Sequence, residues 1–221
     1  MIVLSGGVKG GVGKSTIATN LTIARAHAGK DVLLIDADDQ ETSTDFTAIR
    51  HQALGDAGYT CTKLTGSAVR TDGQRLAQKY DDVIIDAGGR DTASQRAALV
   101  IADVVLIPFV PRSFDVWTLD PVCAMIEEAR SFNPDLKAYA FINRADSTGT
   151  ENQEAAEFIA EKKELTFIDA PLGYRKVFGK SSSQGLSVLE YKPKDEQAIA
   201  EVQRLFDAVF LSTSPLQQTA N

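Results

Sequence analysis

Short apolar runs alternate along the chain with longer segments in which apolar residues recur at helical spacing. The runs are residues 2–4, 31–36, 82–86, 102–108, 138–144 and 165–168, with a weaker one at 59–61. Runs of this length, bounded by glycine, proline or aspartate, are typical of strands buried on both faces. Helical patterns follow Ile17, Leu21 and Ala24, and recur at residues 44–51, 69–79, 114–130 and from 195 onward. The alternation predicts an α/β fold with a mainly parallel, twisted sheet and helices on both faces.

The chain has 221 residues, of which 43% are hydrophobic and 24% charged, values ordinary for a soluble globular protein. This length fits one α/β domain with a large core. Since the sequence shows neither an internal repeat nor a linker, we expect residues 1–211 to form a single domain. The polar segment 212–221 is expected to be a disordered tail.

Composition and charge exclude several classes of protein. No apolar run approaches the roughly 18 residues of a membrane span, and no basic stretch precedes a cleavable apolar segment. We therefore expect a cytoplasmic protein. Cys61 and Cys123 lie far apart without metal-ligand spacing, so we expect free thiols. With a net charge of −7, any contact with nucleic acid must come from a local patch.

The segment from residue 8 to residue 16 lies between the first strand and the first helix, where a phosphate-binding loop belongs. In such a loop, glycine N–H groups curl around a polyphosphate and the positive end of the new helix points at it. Lys14 would reach the β- and γ-phosphates, and the Ser15 hydroxyl would bind Mg²⁺. The predicted nucleotide-binding residues of this loop are Gly10, Gly11, Val12, Gly13, Lys14, Ser15 and Thr16.

A second lysine, Lys9, stands near the start of the loop, and Val8 occupies a position where the strict P-loop pattern has glycine. The sequence from Lys9 to Thr16 resembles the deviant Walker A box of the ParA/MinD family of ATPases. The resemblance covers nearly the whole chain and is strongest to the short plasmid-type, ParF-like partition proteins. It implies a P-loop NTPase fold and a catalytic Lys9 that reaches the ATP of a partner subunit. A contact of Lys9 with phosphate in its own subunit remains the alternative.

Carboxylates follow two of the predicted strands, at the edge where open α/β sheets bind ligands. The segment that begins at Asp36 resembles the family's Asp-x-Asp-Pro-Gln, with Asp39 in place of the proline. The resemblance gives Asp38 the catalytic role of orienting the attacking water, and gives Asp36 a supporting role toward Mg²⁺ or the loop. Asp86 ends the next long strand and would hold Mg²⁺ through a water. Residues 87–90 then form a candidate switch loop.

Two further segments acquire roles from the resemblance. Asn143 and Arg144 lie where the family places adenine-recognition residues, and the Asn143 amide suits the donor–acceptor edge of adenine; a strand-end asparagine that caps the next turn is the alternative. Pro171 begins a loop expected to lie over the base. Arg112 and Asp115 lie in a region that packs near the dimer face in the family, although solvated loop residues would also fit.

Residues 171–194 carry five positive charges against a single carboxylate, Glu190. The positive residues are Arg175, Lys176, Lys180, Lys192 and Lys194. A run of this kind is usually a solvated basic face. In the ParA/MinD family the C-terminal region carries non-specific DNA contacts, so the sequence leaves both interpretations open. Residues 185–190 also resemble the family's Gly-x-Ser-Val-x-Glu stretch.

The last helix has an apolar stripe that includes Ile199, Val202, Phe206 and Val209. MinD-like relatives end in a basic amphipathic helix that binds membrane. Here the stripe is flanked mostly by carboxylates, which anionic lipid would repel. We therefore predict core packing for this helix and no membrane partner.

The resemblance implies an ATPase that requires Mg²⁺, dimerises around ATP, binds DNA non-specifically and turns over slowly. A ParB-type adaptor would stimulate hydrolysis, so that plasmid or chromosome copies are separated by a nucleoid-associated protein. The alternatives are positioning of another cargo, such as a chemoreceptor array or a carboxysome, and a MinD-like membrane role. An iron–sulfur electron carrier would need a cysteine pair at positions that Cys61 and Cys123 do not occupy. A nucleotide-gated scaffold without turnover also remains open.

Overall fold

The sheet of this protein is entirely parallel in its pairings. The structure is a computed structural model that describes residues 1–89, 92–111 and 116–211, with the backbone alone for 116–118. Its strands are β1 (Ile2–Ser5), β2 (Val32–Asp36), β3 (Thr60–Lys63), β4 (Asp82–Asp86), β5 (Val104–Phe109), β6 (Lys137–Ala145), β7 (Thr166–Phe167) and β8 (Leu172–Gly173). The strand order is β3-β2-β4-β1-β5-β6-β7, and β8 pairs with β6.

The helices are α1 (Lys14–His27), α2 (Thr42–Leu54), α3 (Ala68–Ala77), α4 (Ala93–Ile101), α5 (Val116–Arg130), α6 (Glu151–Ala160), α7 (Lys176–Ser182) and α8 (Glu196–Phe210). Alternate residues of each central strand enter two separate apolar clusters, since side chains of a strand point to opposite faces. One cluster contains residues of α3, α4, α5 and α6, and the other contains residues of α1, α7 and α8. The predicted α/β fold with helices on both faces is confirmed.

Helix α8 packs its apolar stripe into the protein, as predicted. Val202, Phe206 and Val209 are buried in the cluster that also holds Ile17 and Leu21 of α1. Asp195 caps the helix by accepting a hydrogen bond from the amide of Ala198. Among the described residues, no helix is long and apolar enough to cross a membrane.

The segment after Pro171, predicted as a loop, contains β8 and α7. Its last part, residues 185–190, is tied to α1 through Asn20. The side-chain oxygen of Asn20 accepts hydrogen bonds from the Ser187 hydroxyl at 2.9 Å and from the Val188 amide at 3.0 Å. The amide nitrogen of Asn20 donates to the carbonyl of Thr16 at 2.7 Å. One buried side chain thus connects the first turn of α1 to a segment more than 160 residues away.

The same segment is held on α2 by an ion pair. Arg50, which is 4% exposed, donates two hydrogen bonds of 2.7 Å to the carboxylate oxygens of Glu190. Burial raises the pKa of Glu190, but the bonds from Arg50 and from the amide of Ser187 outweigh it and hold the pKa below its usual value. Gly185 lies against this helix with φ +67, and a Cβ there would lie 2.4 Å from the backbone nitrogen of Arg50.

We predict that Gly185→Ala destabilises the protein much more than Gly58→Ala. Gly58 has a similar φ of +77, but a Cβ there would have no neighbour within 4 Å. The control variant therefore carries only the strain of a left-handed alanine, about 1 kcal/mol. The contact with α2 should raise the cost of Gly185→Ala to about 2–4 kcal/mol. Urea denaturation measures both free energies of unfolding. Equal costs would show that the segment moves away from α2 without penalty.

Candidate nucleotide-binding site

Four polar segments meet at the carboxyl edge of the sheet. They follow β1, β2, β4 and β6, which all run in the same direction. Strand β1 lies between β4 and β5, so the loop after it occupies the middle of this edge. Open α/β sheets bind ligands at this edge, because the loops and helix N-termini converge there.

The loop after β1 has the backbone curvature of a phosphate-binding loop. Gly11 and Gly13 have φ values of +73 and +97, which side-chain-bearing residues rarely adopt. Helix α1 begins directly after Gly13, so its N-terminal amides point into the loop. The Ser5 hydroxyl donates to the carbonyl of Lys14 at 3.0 Å, which fixes the start of α1 on β1. Such a curve of backbone N–H groups favours a bound anion.

Lys14 is 6% exposed and lies inside this loop. Its ammonium donates a hydrogen bond of 2.8 Å to the carbonyl of Lys9. Burial lowers the pKa of Lys14, and the nearby carboxylates of Asp86 and Asp38 oppose that shift. The lysine is therefore held at the phosphate side of the loop without a direct carboxylate partner among the described residues, which leaves its charge available for an anionic ligand.

Asp86 is fully buried beneath the same loop. Its Oδ2 accepts a hydrogen bond of 2.7 Å from the Ser43 hydroxyl, and its Oδ1 is buried without a hydrogen-bond partner in the described part of the chain. Burial raises the pKa of Asp86 to about 6, although the hydroxyls of Ser43 and Ser15 oppose the shift. A buried oxygen without a partner requires an explanation such as an ion or water. Asp86 and Ser15 therefore fit a Mg²⁺ ion with part of its hydration shell.

Asp36 ties the end of β2 to the start of α2. Its Oδ2 accepts hydrogen bonds of 2.8 Å from both the amide and the hydroxyl of Thr44, in the first turn of α2. Its Oδ1 accepts from the amide of Asp38 at 3.2 Å. Of the two supporting roles predicted for Asp36, these contacts favour the loop over Mg²⁺. A carboxylate at a helix N-terminus is stabilised by the helix dipole.

Asp38 is partly exposed, in contrast to the two buried carboxylates. Its Oδ1 accepts a hydrogen bond of 3.1 Å from the amide of Gln40, and a Cβ on Gly88 would lie 3.1 Å from the same oxygen. Gly89 lies against the P-loop itself, because a Cβ there would lie 2.4 Å from the Cα of Gly10. The candidate switch loop therefore contacts both the predicted catalytic carboxylate and the phosphate-binding loop. Its fourth residue, Arg90, lies outside the described residues.

Two adjoining cavities extend from this loop. The first, of about 670 Å³, is lined by the P-loop and by Asp38, Asp39, Gly88 and Gly89, and we call it the phosphate cavity. The second, of about 310 Å³, has apolar walls from α1, α7, α8 and β8, and we call it the base cavity. Gly13, Thr16 and Arg144 line both cavities. Their shapes and linings suit the phosphates and the base of a nucleotide.

Asn143 is buried at the boundary of the base cavity, but its amide nitrogen contacts the loop. It donates a hydrogen bond of 2.6 Å to the carbonyl of Val12. A Cβ on Gly13 would lie 2.5 Å from the same nitrogen. Asn143 therefore bonds to the phosphate-binding loop and does not cap the turn that follows it. An adenine contact remains a prediction, and it would use the amide oxygen. Pro171 does not line the base cavity, whereas Leu172 and Tyr174 after it do.

The basic residues of the C-terminal region fall into two groups. Arg175 is paired with Glu201 through its Nε and Nη2 atoms, the shortest bond being 2.6 Å, and it lines the same surface cavity as three of the lysines, so its role as a DNA contact stays a prediction. Lys176, Lys180 and Lys194 line one shallow cavity of about 510 Å³ at the surface, and Lys192 is exposed beside it. Arg112, Asp115 and the tail 212–221 lie outside the described residues.

The sequence placed Arg144 beside Asn143 in the pair that resembles the family's adenine-recognition residues, but gave it no role of its own. Arg144 is exposed, lines both cavities and has a φ of +54, unusual for a residue other than glycine. Its position after Asn143 at a strand end was the available signal, but the conformation depends on a register shift between Asn143 and Ala145 where β8 pairs with β6.

Residues 3–188 match the family described as the CobQ/CobB/MinD/ParA nucleotide binding domain. The chain is 27% identical to a maintenance of carboxysome distribution protein A from Halothiobacillus neapolitanus over 213 residues, which cover 93% of this chain and 94% of that protein. It is 30% identical to the chromosome-partitioning ATPase Soj of Thermus thermophilus over 156 residues, which cover 58% and 63%.

Solved structures show the same fold at lower identity. A cobyrinic acid a,c-diamide synthase from Mycobacterium smegmatis with bound ATP analog and magnesium superposes with a TM-score of 0.78 at 21% identity, over 98% of this chain and 96% of that one. A putative plasmid partition protein from Borrelia burgdorferi bound to AMPPNP gives 0.75 at 20% identity, over 96% and 98%. At these identities the likeness establishes the fold.

We predict that Asn143→Ala weakens binding of inosine triphosphate about five- to ten-fold, because it releases the carbonyl of Val12, and weakens binding of ATP more, because it also removes the predicted adenine contact. Calorimetric titration measures both affinities. Gly13→Ala should behave alike, since its Cβ would displace the Asn143 amide. A loss confined to ATP would show instead that Asn143 acts mainly by contacting adenine.

Proposed function

The chain belongs to the CobQ/CobB/MinD/ParA family of nucleotide-binding domains, and from this premise we propose that it is a Mg²⁺-dependent ATPase that hydrolyses ATP to ADP and phosphate as a dimer on DNA. The observation that carries the proposal is the phosphate cavity, which brings Lys14, Ser15 and Asp38 together. A phosphate cavity with a lysine at its base and a partly exposed carboxylate at its wall suits phosphoryl transfer to water.

Each residue has a part in this proposal. The amides of the P-loop and the ammonium of Lys14 bind the phosphates, and Asp38 orients the attacking water. Ser15 and Asp86 hold Mg²⁺, which would neutralise charge on the phosphates. The contact of Gly89 with Gly10 places the switch loop where it can respond to the terminal phosphate.

Lys9 is the residue that we assign to the dimer. Lys14 already serves the phosphates of its own subunit, so a second cation on the loop is best explained if it reaches the ATP of the partner. There it would neutralise charge in the transition state, as an arginine finger does. Such fingers raise rates by on the order of 10³–10⁵.

We propose partition of plasmid or chromosome copies, with a ParB-type adaptor, as the cellular role. The named partition proteins among the similar proteins support it. A second candidate is distribution of carboxysomes with another adaptor. It is favoured by the match to a carboxysome distribution protein, which extends over 93% of this chain.

Non-specific DNA binding is assigned to the lysine patch, which we define as Lys176, Lys180, Lys192 and Lys194. Helix α7 carries two of these lysines and also forms part of the wall of the base cavity. A nucleotide in that cavity would therefore contact the element that presents the patch. The buried stripe of α8 supports DNA over a membrane as the partner surface, since a buried stripe is not available to lipid. We propose a cytoplasmic, nucleoid-associated location.

We predict that activity is restored when two inactive variants are mixed. Asp38→Ala should bind ATP and dimerise without turnover, and Lys9→Ala should bind ATP but hydrolyse it slowly. In the mixed dimer, the Lys9→Ala subunit keeps its own Asp38 and receives Lys9 from the partner. Phosphate release should therefore recover to a fraction of the native rate.

Lys14→Ala is the matched control, because it should not bind ATP and should rescue neither variant. Light scattering or crosslinking must show that mixed dimers are present. If they form and phosphate release stays at the level of the separate variants, Lys9 acts within its own subunit.

We predict that replacing the four lysines of the patch by alanine weakens ATP-dependent DNA binding equally for all DNA sequences, since phosphate contacts carry no base information. Native binding should fall with salt at a log–log slope of about −0.9 per phosphate neutralised. Fluorescence anisotropy measures both effects. The control replaces four exposed lysines outside the segment, Lys30, Lys79, Lys137 and Lys163, with the same change in net charge. Equal losses in the two variants would point to overall charge rather than to this patch.

A further inference from the structure

Gln95 is a fully buried polar side chain that connects α4 to the P-loop and to α5. It lies in the first turn of α4, where its amide donates a hydrogen bond of 3.1 Å to the hydroxyl of Thr92. Its side-chain oxygen accepts from the amide of Gly7 at 3.0 Å, and its side-chain nitrogen donates to Sδ of Met125 at 3.0 Å. Gln95 is not among the described residues that line the two cavities, so any effect on the chemistry must pass through another residue.

The bond from Gly7 to Gln95 fixes the point at which the chain leaves the sheet. The amide of Gly6 donates to the carbonyl of Leu106 at 3.0 Å, which continues the pairing of β1 with β5. The next amide, that of Gly7, bonds to Gln95 instead. Gly7 has a φ of +139, a value that favours glycine, so the backbone departs here from the strand conformation. Gln95 therefore holds the start of the P-loop.

Lys9 lies two residues beyond this bond and one residue before the contact between the P-loop and the switch loop. Its carbonyl accepts a hydrogen bond of 2.8 Å from the ammonium of Lys14. A bound phosphate would compete for that ammonium. The bond between Gly7 and Gln95 is buried and involves no group that the phosphates need. It can therefore keep the backbone near Lys9 in place when nucleotide is bound.

We propose that Gln95 is a positioning residue for Lys9, acting through the amide of Gly7. The inference rests on the proposed function, in which Lys9 reaches the ATP of a partner subunit. A lysine on a long, flexible side chain stabilises charge in a transition state better when its backbone is fixed beforehand. Because α4 follows the candidate switch loop in the chain, the same bond would transmit a movement of that loop to Lys9.

The first test separates nucleotide binding from turnover. Gln95→Met keeps the approximate size of the side chain but removes the oxygen that accepts from Gly7. Phosphate release should fall about ten- to hundred-fold, the cost of a misplaced group. ATP affinity, measured by calorimetric titration, should stay unchanged, because Lys14 and the amides of α1 remain in place.

Two further variants separate the bond to Gly7 from packing. Gln95→Glu should recover most of the rate, because a glutamate in either protonation state offers an oxygen to the amide of Gly7. Met125→Leu is the matched control, since it removes the other partner of the Gln95 side chain and keeps the apolar volume. It should release phosphate at the native rate.

The second test places Gln95→Met in only one subunit of the mixed dimer. When Lys9→Ala is mixed with Asp38→Ala, the Asp38→Ala subunit donates the lysine and the Lys9→Ala subunit holds the working site. Gln95→Met on the lysine donor should lower the recovered rate about ten- to hundred-fold. On the other subunit it should leave the recovered rate unchanged. A merely structural role would lower the rate in both arrangements.

The inference is overturned by a native rate in Gln95→Met, by a loss of ATP affinity that accounts for its lower rate, by a lack of recovery in Gln95→Glu, or by an equal loss in Met125→Leu. It is also overturned if the two arrangements of the mixed dimer lose activity equally. If Lys9→Ala and Asp38→Ala restore no activity even without the change at Gln95, the role of Lys9 in the proposed function is wrong, and the inference falls with it. The two failures are therefore distinguishable.

Discussion

The close approach of three segments to the phosphate-binding loop is the constraint on which the rest of the site depends. Gly89 lies so near Gly10 that a single added carbon would overlap its Cα, and the amide of Asn143 occupies the space beside Gly13. Gln95 of α4 is the third neighbour of the loop, because its side-chain oxygen accepts a hydrogen bond of 3.0 Å from the amide of Gly7. Glycine is needed at positions 13 and 89 because neighbouring groups exclude a Cβ there.

The protein stabilises the charged form of Asp36 more completely than those of Lys14 and Asp86, and this difference leaves Lys14 and Asp86 able to bind a ligand. Burial moves the pKa values of Lys14 and Asp86 toward the neutral forms, down for the lysine and up for the carboxylate. The first turn of α2 offsets part of this cost by donating from Ser43 to Asp86 and from Thr44 to Asp36. Asp36 is thereby fully engaged, whereas one oxygen of Asp86 is not engaged by any described residue. A bound phosphate would pair with the Lys14 ammonium, and its accompanying cation would pair with Oδ1 of Asp86. Nucleotide binding should therefore stabilise this edge of the sheet.

Local signals in the sequence were sufficient for strands β1 to β7, the phosphate-binding loop and the carboxylates at the ends of β2 and β4, because strand period, glycine content and strand-end position are local properties. They did not predict β8, which has two residues. Local signals were insufficient where contacts between distant parts of the chain determine the partner of a side chain or the conformation of the backbone. The sequence shows neither the pairing of Arg175 with Glu201, 26 residues away, nor the bond from Asn143 to a carbonyl 131 residues earlier. Helix α7 was missed because it has only seven residues, too few for a periodic pattern. The left-handed conformation of Arg144 was not predicted, because it lies at a register shift where β8 pairs with β6.

The attachment of residues 185–190 joins the candidate nucleotide site to the region of the lysine patch. Helix α1 starts at the phosphate-binding loop and α2 starts at Asp36 and Asp86, so both helices begin in the site. Asn20 of α1 and Arg50 of α2 then hold the same short segment, which follows α7 and precedes Lys192 and Lys194. A displacement of either helix start would be transmitted through a buried hydrogen bond or a bidentate ion pair, both of which resist stretching more than apolar contacts do. The segment between α7 and Lys192 is therefore held by two helices that begin in the site.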